Sequence, residues 1–445
     1  MRKTILILIL FVSVGARSQE SKTHSFSLKE AITHALQHNY DAINAGRDID
    51  KAKQKKWETT ASGLPQINAG VDYINNFVLQ KSLIPAEFFG GEPGTFTAVE
   101  FGTKHNMTAH ATLSQLIFDG SYIVALRASK TYLEYYRNTK QKTDNDVRQA
   151  VIEAYGNVLL ANESVVILER NKTTLDKTLS DTRETFKNGL IEEENVEQLQ
   201  ITQYTVNSSL NNARRMKEIS LNFLKLQLGI PIDESLTLTD NLEDLTRNNL
   251  DMALTQSEFK IENNIDFQLM QNFNTQRKLE LQLEKSKALP SLSANLNFGY
   301  NGFGNKFNFT SPHQEWFNYS NLGVSLNVPI FSSFARSART QQAKIAYDQA
   351  KTQLEKTEQS LKLQYANARS QYEFSVEEFS NAKNNLELAE RIERKQQTKF
   401  TEGLSSSFDF AEAQRQLYTA QQNYLQSMIN VITRRSELER ITTTN

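Results

Sequence analysis

The sequence predicts an α+β membrane protein built as two copies of one unit. Four β-strands per chain enter an oligomeric barrel, and long helices pack as coiled coils. Three observations predict this fold class. Two tracts without proline and almost without glycine read as very long helices. Four short runs alternate apolar and small polar residues with a period of two. The landmarks of the first half recur in the second at a nearly constant offset.

Proline and glycine mark the element boundaries. Of seven prolines in 445 residues, none lies between Pro93 and Pro231 and none follows Pro329. Residues 121 to 228 contain only Gly156 and Gly189, and residues 330 to 445 only Gly403. Each tract is therefore helical with one sharp break. The breaks match: Phe186-Lys187-Asn188-Gly189-Leu190 parallels Phe400-Thr401-Glu402-Gly403-Leu404. Leu64-Pro65 likewise parallels Leu289-Pro290, and Leu116-Ile117-Phe118 parallels Pro329-Ile330-Phe331.

The strand-like runs come in pairs. In the first unit, Ile67, Ala69, Val71 and Tyr73 alternate with Gln66, Asn68, Gly70 and Asp72, and Met107, Ala109, Ala111 and Leu113 alternate with polar neighbours. In the second unit, Leu292, Ala294, Leu296 and Phe298 form one run, and Leu322, Val324, Leu326 and Val328 the other. One apolar and one polar face suit a barrel with lipid outside and water inside. The loops at 80 to 103 and 301 to 318 are rich in glycine and aromatics, as expected of the extracellular end.

The helices carry seams at steps of three and four. Val151, Ala154, Val158, Ala161, Val165 and Leu168 form the first, and Leu175, Leu179 and Phe186 continue it beyond Lys172, which breaks it. Leu361, Tyr365, Ala368, Tyr372, Ser375, Phe379, Ala382, Leu386 and Ala389 form the second, and Phe410, Ala413, Leu417, Ala420, Tyr424, Ser427 and Val431 the third. Large residues alternating with Ala or Ser let helices pack closely. The two longest helices would each span about 100 Å.

The expected organisation runs as follows. Residues 1–18 form a signal peptide. Residues 19–230 form the first repeat, with strands at 65–79 and 104–118, a long helix at 121–187 and a tip turn at 187–193. Residues 231–250 form an equatorial belt. Residues 251–445 form the second repeat, with strands at 290–303 and 319–331, a long helix at 334–400 and a tip turn at 401–407. One further helix is expected from Ser27, which opens a capping box with Glu30, towards Leu64. Another is expected from Asp251 to Ala288. Eight strands close a barrel filled by side chains, whereas twelve leave a lumen, so a homotrimer is the smallest channel-forming assembly.

Arg2 and Lys3, the apolar run Ile5 to Val12 and the small-x-small site Ala16-Arg17-Ser18 read as an export signal. No other stretch reads as a transmembrane helix, so membrane insertion would require a barrel. Charges nearly cancel, with 50 Lys+Arg against 51 Asp+Glu, which gives no reason to expect a nucleic-acid partner. Cysteine is absent, which excludes disulfides and thiolate chemistry. No nucleotide-binding or hydrolase motif is present, so no enzyme, cofactor or metal centre is expected. His34 and His38 stand four apart but lack the glutamate of a zinc-protease helix, and they read as solvated. Glu192, Glu193 and Glu194 read either as an entrance charge cluster or as acids opening a helix. The competing architecture is a periplasmic coiled-coil scaffold or adaptor without a channel, which would not need four alternating strands.

Together these features resemble the TolC family of outer-membrane efflux proteins over nearly the whole mature chain. The matching motifs are the two Phe-x-x-Gly-Leu breaks, the turns at Phe118-Asp119-Gly120 and Phe331-Ser332-Ser333, and the opening from Ser27 to Tyr40. The resemblance implies a trimer with a twelve-stranded outer-membrane barrel and a periplasmic α-barrel. It implies docking to a periplasmic adaptor and an inner-membrane RND or ABC transporter. The tip turns at Gly189-Leu190 and Gly403-Leu404 would then meet the adaptor. Asp409 and Glu412, three residues apart on one helix face, would ring the periplasmic entrance and favour cations. The first repeat has Asn195 where the second has Asp409. Ser405 stands where some relatives carry an arginine that locks the closed tip.

Overall fold

The computed structural model describes residues 23–256 and 258–442. The expected signal peptide, residues 1–18, lies outside the described residues. In chain order the elements are β1 (Thr23–Phe26), α1 (Leu28–His38), α2 (Tyr40–Ala61), β2 (Gln66–Asn75), β3 (Lys81–Pro85), β4 (Phe96–Glu100), β5 (His105–Asp119), α3 (Gly120–Lys187), α4 (Glu193–Leu228), β6 (Ser235–Leu238), α5 (Leu242–Asn248), α6 (Ala253–Gln256), α7 (Ile265–Ser286), β7 (Ser291–Gly304), β8 (Trp316–Asn327), α8 (Ala335–Thr401) and α9 (Ser407–Thr442). They divide into two compact units. One takes the chain up to Asp48, Arg137–Met270 and the chain from Leu354 on; the other takes Ile49–Tyr136 and Gln271–Gln353.

The smaller unit holds the sheet. Its strands lie in the order β2-β5-β7-β8, every pair antiparallel. The registers place the alternating runs in phase. Ile67 faces Leu113, which faces Leu296, which faces Leu322, giving an apolar row across all four strands. On the opposite face the same registers line up Asn68, Thr112, Asn297 and Asn321. There the Thr112 hydroxyl donates to Asn297 Oδ1 at 2.7 Å, and Asn297 Nδ2 donates to Asn321 Oδ1 at 2.9 Å. One sheet thus has an apolar face, interrupted on β8 by Ser320 and Asn318, and a hydrogen-bonded polar face. Within the sheet, β2 and β8 each have one unpaired edge.

Two details of this unit differ from expectation. The segment read as a plain loop at 80–103 contains a second small sheet, in which β3 pairs with β4. It is rooted by Asn76, whose backbone N–H donates to Lys104 O and whose Nδ2 donates to Thr103 O. The last strand covers Trp316–Asn327 rather than 319–331, because Pro329 has no N–H to continue the ladder.

The larger unit is helical and buries the predicted seams. Val151, Ala154, Val158, Ala161, Val165 and Leu168 are all buried, as are Ala368, Tyr372, Ser375, Ala382, Ala389, Phe410, Ala413 and Val431. The first seam passes through Asn171, one residue from the expected break at Lys172. Asn171 is buried and donates from Nδ2 to Gln421 Oε1 on α9 at 2.8 Å. Contrary to the sequence reading, α3 does contain a stretch long and apolar enough to cross a membrane; 56% of it is buried, as in a core helix.

Two further expectations are corrected here, and the belt region gains detail. The helix from Ser27 towards Leu64 breaks at Asn39, whose Oδ1 accepts from the N–H groups of Asp41 and Ala42 and so caps a new helix. The helix expected from Asp251 to Ala288 starts only at Ile265, where Asn264 Oδ1 accepts from the N–H groups of Asp266 and Phe267. The belt region contains α5 and a strand, β6, which pairs in parallel with β1. Two buried tyrosines hold these segments. The Tyr155 hydroxyl lies 3.0 Å from both Phe26 O and Asp240 Oδ2, and the Tyr372 hydroxyl donates to Asn249 O at 2.7 Å and lies 3.0 Å from Asp251 O. Burial pushes both phenols above their usual range.

Candidate functional site

The two Gly-Leu breaks form the same turn. After α3, Gly189 N–H donates to Phe186 O at 2.8 Å and Leu190 N–H to Thr185 O at 3.2 Å. After α8, Gly403 N–H donates to Phe400 O at 3.1 Å and Leu404 N–H to Lys399 O at 2.7 Å. This is the Schellman arrangement, which needs a left-handed residue at the turn. Gly189 and Gly403 supply it with φ of 71° and 72°. Leu190 and Leu404 stay 74% and 78% exposed, so each turn presents an apolar side chain that its own chain leaves uncovered.

Behind the turns lies a small core of Leu175, Leu179, Val196, Leu199, Val206 and Phe410, with Phe400 stacked on Phe410 at 5.4 Å. It packs residues from both repeats into the larger unit, so the two turns share one base.

Asp409 and Glu412 sit on the first turns of α9. Asp409 is exposed and closes a capping box: its N–H donates to Ser406 Oγ at 3.1 Å, and Ser406 Oγ donates to Asp409 Oδ2 at 2.7 Å. The Ser406 bonds, side chain first, hold the Asp409 carboxyl below its ordinary range. Ser405 donates to Gln396 Oε1 on α8 at 3.2 Å, which ties the same turn to the preceding helix. Glu412 is half-buried. Bonds from Gln416 and then Arg415 hold its carboxyl below the ordinary range. Arg415 Nε donates to Glu412 Oε2 at 2.9 Å, and its Nη2 makes a second, shorter bond to the same oxygen. Asp409 is thus held mainly by serine hydroxyls, with Lys399 a weaker charge neighbour, whereas Glu412 shares its charge with Arg415 in an ion pair.

Sequence reading missed the partners. Ser406-x-x-Asp409 is a legible capping-box signature. Arg415, three residues past Glu412, was the available sign that this acid would be paired. In the first repeat Glu192 precedes α4 without a side-chain cap, and Glu193 and Glu194 lie exposed in its first turn. Asn195, in place of Asp409, donates weakly to Glu192 O at 3.3 Å. The His34 and His38 rings stack at 4.1 Å, and no group of three metal-ligating side chains occurs among the described residues.

Comparison with known proteins places this geometry. Residues 261–444 match the outer membrane efflux protein family. Over 439 residues the chain is 24% identical to the outer membrane protein TolC of Vibrio cholerae, covering 94% of this chain and 90% of that protein. Among solved structures, the CmeC outer membrane channel of Campylobacter jejuni superposes with a TM-score of 0.73 at 18% identity, over 94% of this chain and 85% of that one. The open-state MtrE outer membrane channel of Neisseria gonorrhoeae gives 0.68 at 16% identity, over 93% and 88%. The chain thus shares the fold of these outer-membrane channels. The C-terminal part of the chain carries the outer membrane efflux protein match, and the chain as a whole is similar to TolC-type proteins.

Proposed function

We propose that three copies of this chain close a twelve-stranded barrel in the outer membrane and conduct cargo passively out of the periplasm, as the exit duct of a tripartite efflux or secretion system. The observation that carries this reading is the sheet: four antiparallel strands, two unpaired edges, one mainly apolar face and one polar face. An open sheet with such edges invites pairing, and only closure removes edges in lipid. Four strands are too few to enclose a lumen, and three copies supply twelve.

In this reading the apolar face meets outer-membrane lipid and the Asn–Thr ladder faces water. Gly189-Leu190 and Gly403-Leu404 form the periplasmic tips and dock a periplasmic adaptor, which joins the duct to an inner-membrane RND or ABC transporter. The exposed leucines supply the apolar contact. Asp409 lines the entrance as a ring of three carboxylates, with Glu412 a weaker second ring because Arg415 offsets it. The test is fractionation and mass. The protein should sediment with outer membranes and, in detergent, have the protein mass of three chains. A detergent-free, stable monomer in the periplasm would favour the scaffold reading and overturn this one. Cys placed at Leu190 or Leu404 should crosslink to the adaptor; crosslinking only at Gly91, in the strand-connecting loop, would refute the docking assignment.

A further inference from the structure

At the helical end of the sheet, three of the four strand–helix junctions lock onto one another within the chain. A Cβ at Gly63, between α2 and β2, would lie 2.2 Å from the Tyr122 ring at the start of α3, and Tyr122 donates its hydroxyl to Thr60 O at 3.0 Å. A Cβ at Gly120, between β5 and α3, would lie 2.6 Å from Leu289 at the α7–β7 junction. Each junction thus packs against the next one along the sheet.

The fourth junction, between β8 and α8, breaks the series. Ile330, Phe331 and Phe334 are 89%, 75% and 76% exposed. Their backbone is also strained: Ser333 and Phe334, neither of them glycine, have φ of 46° and 63°. Arg336 braces the segment by donating to Pro329 O at 2.8 Å, Ile330 O at 3.2 Å and Ser332 Oγ at 3.3 Å. The rings of Phe331 and Phe334 meet edge to face at 6.0 Å. A strained, clamped turn that holds two aromatic rings in the open points to a surface made for a partner.

The topology says which partner. β8 runs towards the helical end and β2 runs away from it, so a β8 edge pairs antiparallel with the β2 edge of another copy. The residues after β8 then arrive beside the residues before β2. There Trp57 is 60% exposed and Leu64 is exposed as well.

We propose that the β8–α8 junction is an intersubunit latch, in which Phe331 and Phe334 of one copy pack on Trp57 and Leu64 at the α2–β2 junction of a second copy. The latch rests on the trimeric reading above and adds a specific contact to it. It closes the ring of junctions where the barrel gives way to helices, and the Arg336 clamp presets the rings for the neighbouring copy.

Two measurements test it on the full chain. The protein has no cysteine and two tryptophans, so both probes are clean. First, Trp57→Cys combined with Phe331→Cys should give covalent species up to three chains on oxidation, and neither single variant should. An internally linked monomer, or no crosslink in a protein whose detergent mass is three chains, would overturn the latch while leaving the channel reading intact. A one-chain mass for the wild type would instead overturn the channel reading. Second, in a Trp316→Phe background Trp57 is the sole emitter. In vesicles with brominated acyl chains its emission should be quenched little, and Phe331→Ala with Phe334→Ala should raise the quenching at least two-fold. Strong quenching that is indifferent to these changes would mean that lipid, not a second copy, covers the site.

Discussion

Three glycines in this chain end helices in the same way, yet the structure predicts unequal costs for the same substitution. Gly189, Gly403 and Gly229 have φ of 71°, 72° and 71°. An alanine at any of them bears the left-handed penalty of roughly 1–2 kcal/mol. At Gly189 and Gly403 nothing lies within 4 Å of the added Cβ, so the cost stops there. At Gly229 the Cβ would lie 2.1 Å from His38 O and 3.3 Å from Asn39 N. The α1–α2 break must then shift. Asn39 would lose its bond to Gln227 O, now 2.9 Å, along with its cap on α2. A displaced cap costs about 1 kcal/mol and a lost buried bond about 1 more, so Gly229→Ala should cost about 3–4 kcal/mol in all. The assay is heat denaturation of each purified variant, followed by circular dichroism. At roughly 2–4 °C per kcal/mol for a unit of this size, Gly189→Ala and Gly403→Ala should lower the midpoint by a few degrees and Gly229→Ala by about two to three times as much, or prevent folding. Equal shifts for all three would refute the reasoning from local space.

Other outcomes follow from the same contacts. Tyr372→Phe should cost about 1–3 kcal/mol, because the carbonyls of Asn249 and Asp251 lose a buried donor; protease cleavage near residue 250 should report it. Asp409 is held below its ordinary pKa, so the bonding that starts α9 is complete above the ordinary carboxylate range and is lost as pH falls through the depressed value. Ser406→Ala should raise that value, and cation preference should then fade at a higher pH than in wild type, as read from reversal potentials. Asp409→Asn should weaken cation preference more than Glu412→Gln, since Arg415 already offsets Glu412; the reverse order would overturn the charge assignment.

Much of the fold was legible because it repeats. The helices around Gly189 and Gly403 were readable from missing proline and glycine, and the seams from Val151 and Phe410 onward from spacing. The strands were readable because one face is apolar and the other is Asn, Thr and Ser. The belt was not legible. Asn39 and Asn264 start new helices by accepting backbone N–H groups on their side chains, and an asparagine in a polar stretch gives no sign of that role. The β1–β6 pairing joins segments more than 200 residues apart, which no local pattern encodes. At the candidate entrance, Asp409 and Glu412 were visible as residues, whereas their inequality became visible only with Ser406 and Arg415 in place.

Single-channel recording of the purified protein in planar bilayers tests the central claim most directly. The account predicts discrete conductance steps that favour cations and are blocked by multivalent cations added on the periplasmic side. The Asp409→Ala, Glu412→Ala variant, with its three-chain mass intact, should lose both the preference and the block. Membranes that contain the protein and pass no current would contradict the channel, and a variant that keeps both properties would contradict the entrance ring.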